Sequence, residues 1–194
     1  MQATTHVAER PGDRERASAV LAAAHQVVAL FDDVHVAERA GYKEFAPGGP
    51  GIERHFVNPQ LSREEGKRLD LLHPGALLYD RLPNGGLQIH GVMYTALGNV
   101  DAAQLDVRVP RSIAVWHRHV DFCVAAHSAA DDHRFGFDGT IHTEDVCKAA
   151  RGTWVPLACG WMTHVFPNAP TGPQQWGGSE MNMGQTGSER FPAS

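Results

Sequence analysis

The residues best suited to chemistry in this chain are its histidines: 12 among 194 residues, of the side-chain type that most often ligates metals. Two of them stand one residue apart in "SIAVWHRHVDFC", residues 112–123. In an extended strand residues i and i+2 share a face, so Val115, His117, His119 and Asp121 are expected on one side and Trp116, Arg118, Val120 and Phe122 on the other. The second side is largely apolar and suits the core. The first carries two imidazoles about 7 Å apart at the backbone, a spacing that lets both reach one ion. Two polar residues on the wet face of a sheet fit the same pattern, so further partners are needed. His164 in "GWMTHVFPN", between Met162 and Phe166 on its face, and His55 in "IERHFVNP" are the next candidates. The plain alternative for His164 is a core histidine bonded to a backbone carbonyl. His90 in "QIHGVMY" is a weaker fifth, because alternation groups it with Val92 and Tyr94.

Imidazole ligation suits one divalent transition metal, with copper first in the affinity series and then zinc, iron or nickel. Met162 offers copper a soft contact. Glu53, Asp121 and Tyr94 are the expected neighbours that orient ligands or move a proton. The functional expectation is a metal-binding protein built on His55, His117, His119 and His164. With one coordination position open it becomes a metalloenzyme, an oxidoreductase or hydrolase activating water or dioxygen on a small molecule. The alternatives are a metal carrier or sensor whose histidines fill the coordination sphere, and a metal-free module binding a small ligand between Trp116, Trp154 and Trp161. Ser112 and Ser128 lie in no nucleophile elbow. "APGGPG" and "PNGGL" lack the lysine and following helix of a phosphate loop. Cys123, Cys147 and Cys159 form no CxxC pair, which argues against a cysteine-based zinc site.

The elements that must position these residues read as α+β. Residues 13–40 carry Val20, Ala24, Val27, Phe31 and Val34 at helical spacing, with Asp13 as the expected N-cap and Gly41 as the stop; His25 and His35 fall on this helix as surface residues. "IERHFVNP" is a short strand ended by Pro59. Ser62 and Glu65 at capping-box spacing place a helical turn or two in "LSREEGKRLDLL". "GALLYDR" and "LQIHGVMYTA" flank "LPNGG" as a hairpin. Residues 112–123 form a third strand, and "TWVPLACGWMTHVF" one or two more, broken near Pro156 and Gly160. "HTEDVCKAARG" is a short helix with Thr143 at its start and Gly152 at its end. The architecture expected is an amphipathic helix on a mostly antiparallel sheet, a sandwich or partial barrel with short helical inserts. One domain spans 13–170, followed by a Gly/Ser/Gln-rich tail, 171–194.

The formal charge of -5, with no long basic run, gives no footprint for nucleic acid. No apolar stretch approaches the roughly 20 residues of a membrane span, and "MQATTHVAERPGDRER" lacks the apolar core of a secretory signal, so a soluble chain is expected.

His-x-His followed later by His164 with Asn168 four residues on is a partial likeness to the cupin metal motifs. The glycine that precedes the cupin pair is absent, and so is the glutamate that follows it. A longer resemblance covers about residues 20–170. "GIERHFVNP", "LHPGALLYDRLPNGGLQIHGVMYTA", "LDVRVPRSIAVWHRHVDFC", "FGFDGTIHTEDVCKAARGTWVP" and "GWMTHVFPNAP" resemble an uncharacterised family of bacterial, often exported proteins. That resemblance implies histidines together at positions 55, 117, 119 and 164, a disulfide between Cys123 and Cys147, and a periplasmic or secreted location. Cys159 is an addition to the pattern.

Overall fold

The computed structural model describes residues 1–45, 53–126, 132–137, 139–170 and 172–177. Of the tail expected over 171–194, only residues 172–177 are among them.

The first amphipathic stretch folds as two helices, α1 (Asp13–Leu30) and α2 (Val34–Arg39), and not as one. The hydroxyl of Tyr79 donates to the carbonyl of Phe31 at 2.7 Å. The N–H of His35, which a continuous helix would aim at that carbonyl, donates instead to the Asp33 side chain. Asp33 therefore caps a new helix. At the other end Gly12, with φ 87°, occupies the cap position and Asp13 is the first helical residue. Asp13 is buried and accepts from Ser112 Oγ, the Arg16 guanidinium and the Arg10 backbone, so it anchors α1 to the 112 turn.

A two-residue strand, β1 (Gln2–Ala3), precedes these helices, and β2 (Lys43–Glu44) and β3 (Glu53–Val57) follow. Next comes α3 (Pro59–Lys67), which starts earlier than the Ser62 spacing suggests. Asn58 caps it by accepting from the N–H groups of Gln60 and Leu61, and Pro59 suits the first helical position. The expected hairpin forms as β4 (Ala76–Arg81) and β5 (Leu87–Ala96). α4 (Ala102–Arg108) is closed by a capping box between Asp101 and Gln104.

The third expected strand is shorter and divided. Residues 111–113 form a turn, β6 is only His117–Arg118, and β7 (Val120–Val124) belongs to a different sheet. α5 (Glu144–Ala149), β8 (Thr153–Leu157) and β9 (Trp161–Val165) complete the order, with a 3-10 turn at Pro173–Trp176. α5 ends on Arg151, at φ 59°. Gly152 is needed for closeness instead, because a Cβ there would collide with Cys123 Sγ.

The architecture is α+β. Seven strands pair antiparallel in the order β1-β6-β9-β5-β4-β3-β2, and β7 and β8 form a separate antiparallel ribbon. One sheet face, with Phe56, Leu77, Val92, Tyr94 and Val165, packs on Val20, Ala24, Val27 and Phe31 to make the main core. The other face carries a smaller apolar cluster of Ala76, Leu78, Met93 and Met162. Among the described residues no helix is long and apolar enough to cross a membrane.

Candidate functional site

The histidines lie on the face away from α1. Cross-strand register sets Met93 opposite His164, His117 opposite Met162, and His55 opposite Leu78. Since opposed residues share a face, all three histidines stand with the small apolar cluster. Along a flat sheet the three strand steps from β9 to β3 cover about 14 Å, yet the rings of His55 and His164 lean together to 5.6 Å between centroids. His164 lies 5.0 Å from His117, which lies 5.6 Å from His119. The four rings form a row, His55, His164, His117, His119.

Burial separates these residues from the others of their type. His6, His25, His35, His73, His133 and His142 are exposed, whereas His55, His90, His117, His119 and His164 are not; His127 lies outside the described residues. The middle of the row is buried, with His117 and His164 at 8% and 5% exposure. The His55 side chain keeps 32%, so that end meets solvent. Burial, and then the neighbouring imidazoles of His164, His119 and His55, push His117 down to about 3. It is a neutral imidazole throughout the physiological range, the form that ligates metals.

His119 sits at the joint between β6 and β7. Its ring stacks on Phe137 with centroids 4.0 Å apart, and Phe137 meets Phe122 edge-on at 4.9 Å. Phe122 therefore packs beside the site and not in the main core. Trp116 does enter that core, and Arg118 lies over Trp161 at its edge and donates to the Gly98 carbonyl and to Gln2 Oε1. The ribbon behind His119 is fastened by the Cys123–Cys147 disulfide. Cys159 is a free, exposed thiol.

The other candidates fall differently. Asp121 is exposed and has φ 53°, which breaks the alternation that would set it beside the histidines. Tyr94 opposes Thr163, on the α1 side, and its hydroxyl donates to Leu71. Met162 lies on the histidine face but within the apolar cluster, as a wall. Trp116 and Trp161 belong to the main core and Trp154 packs near the disulfide, so the three do not share one pocket.

Glu53 does lie beside the row, and with it a residue that strict alternation misassigns. Leu78 opposes Gly91 and Tyr79 opposes Ile89, which leaves His90 as the extra residue of a β-bulge. The bulge turns His90 toward Glu53 and Asp80, with its Nε2 3.0 Å from Glu53 Oε2 and its Nδ1 2.8 Å from Asp80 Oδ2. A glycine following it inside a strand was the available signal. Burial works to raise the Glu53 carboxyl, but the His90 hydrogen bond and the charges of His164, His55 and His90 hold it below its usual range. His90 is raised: burial opposes the proton, while Glu53 and Asp80 retain it.

Two imidazoles bound to one tetrahedral ion, each through a nitrogen about 2.1 Å from the metal, have ring centres about 5 Å apart. The row has that spacing. Among the described residues, however, no group of three or more His, Cys, Asp or Glu side chains stands arranged to hold a metal ion. The chain matches no protein-family model, no curated protein and no solved structure.

Proposed function

We propose that this protein binds one divalent transition metal through His55, His117 and His164, with His119 as the fourth imidazole. The observation that carries the reading is the row of rings at 5.0–5.6 Å on the side of the sheet away from α1. Closing it asks the imidazoles to turn about their side-chain bonds so that their nitrogens converge. Copper, then zinc, iron or nickel, are the ions this donor set favours. The solvent-facing end at His55 leaves room for water or a small molecule at the ion, which supports a metalloenzyme over a saturated carrier. Disulfide formation and the family resemblance support action outside the cytoplasm, in the periplasm or medium.

Untagged, metal-stripped protein titrated with Cu(II) and Zn(II) tests the reading. One equivalent is expected to bind at micromolar concentration or below. His117→Ala and His164→Ala are each expected to lower affinity at least about a hundredfold, and His119→Ala about tenfold, by the scale of losses at metal sites. Binding unaffected by His164→Ala contradicts a shared centre. Failure of the wild type to bind either ion contradicts the metal-binding reading as a whole.

A further inference from the structure

Glu53 precedes His55 by two residues on β3, which sets both on one face. Its partner across the ladder is Asp80. Between these carboxylates stands His90, with Nδ1 2.8 Å from Asp80 and Nε2 3.0 Å from Glu53. Because both ring nitrogens face carboxylates, His90 serves as a clamp and has no nitrogen to offer an ion. Phe166 closes one side of that clamp, edge-on to the His90 ring at 5.1 Å. Phe166 can lie there because Gly91 is bare: a Cβ at Gly91 would stand 2.6 Å from its ring.

The clamp takes Oε2 of Glu53 and leaves Oε1 toward His55, 3.6 Å from its Nε2. That is too long for a hydrogen bond. It is close to the roughly 3.4 Å between two donors each about 2.1 Å from one tetrahedral ion.

We propose that Glu53 is the carboxylate ligand of the histidine centre, joining His55 and His164 on the ion, and that the Asp80–His90 pair is the positioning device that aims it. This role rests on the metal-binding reading above. An oxygen donor among imidazoles favours divalent copper, zinc, iron or nickel over Cu(I). It also sets one anionic ligand at the solvent-facing end, where a substrate approaches.

The test uses metal-stripped, untagged protein titrated with Co(II), whose visible bands report the ligand set, and with Zn(II) against a chelating dye. Glu53→Gln is expected to bind about a hundredfold more weakly with shifted Co(II) bands, and His90→Phe about tenfold more weakly. The double variant is expected to bind no more weakly than Glu53→Gln alone, since His90 acts only through Glu53. Infrared difference spectra of the wild type on adding metal are expected to carry a shifted carboxylate stretch, a readout independent of any variant. Wild-type binding together with an unchanged Glu53→Gln affinity and spectrum, or with no carboxylate shift, overturns the role of Glu53 and leaves the histidine site standing. No binding of Co(II) or Zn(II) by the wild type overturns both.

Discussion

Glu65 shows how one side chain can hold two elements together. It lies on α3 at 2% exposure, and its Oε2 accepts from Thr95 N, Thr95 Oγ1 and Gly75 N at 2.8, 2.7 and 3.2 Å. Burial, opposed by these bonds and by the charge of Arg108, pushes the carboxyl from 4.5 to about 7. The folded state thus holds a proton that the unfolded chain releases between these values. The stability that Glu65 contributes in this way is full below pH 4.5 and is lost as pH rises through 7, about 3 kcal/mol in all. Because the buried, neutral His117 favours the fold in the opposite direction over this range, the readout is a difference: from pH 5 to pH 8 the wild type is expected to lose about 3 kcal/mol relative to Glu65→Gln by urea unfolding. The sequence marks Glu65 as half of a capping box, because spacing reveals local partners and not Thr95, thirty residues away. His55, His117 and His164 were legible as candidates for a simpler reason: each sits in a strand pattern whose face can be counted. His90 stood only as a weaker fifth, since the bulge that turns it toward Glu53 and Asp80 is set by pairing with β4.

At the scale of elements, the β7–β8 ribbon stands apart from the seven-stranded sheet, and the disulfide ties it to α5. Cys123 and Cys147 are 24 residues apart in sequence, and a cross-link over such a loop stabilises by about 3 kcal/mol. The Cys123→Ala/Cys147→Ala variant is expected to lose about that much by urea unfolding. Its metal affinity is expected to fall no further than that of His119→Ala, because only His119 among the four imidazoles is carried by this ribbon. The hairpin, β3 and α5 could be read from turn residues and caps, which act locally. The break between α1 and α2 could not, since no glycine or proline marks it and the Tyr79 hydroxyl that takes the Phe31 carbonyl comes from β4. The division of residues 112–123 between two sheets was hidden for a related reason. Alternation assumes one continuous strand, whereas the ladder breaks at His119, between β6 and β7, and Asp121 within β7 has a left-handed backbone.

The whole molecule divides its sheet between two tasks. One face is spent on α1 and the main core, which supplies stability. The other holds a row of imidazoles over a thin apolar bed, with a carboxylate clamp at its exposed end. α+β architecture followed from the order of helix, hairpin and strand patterns; the convergence of β3, β6 and β9 on one patch required the strand order, which no local pattern encodes. The central claim is that an ion sits in that patch. Diffraction from crystals of zinc- or copper-loaded protein, collected on both sides of the metal's absorption edge, tests it most directly. The account predicts one anomalous peak within about 2.2 Å of nitrogens from His55, His117 and His164. A peak bound only by exposed histidines such as His35 or His73, or none in fully loaded crystals, would contradict it.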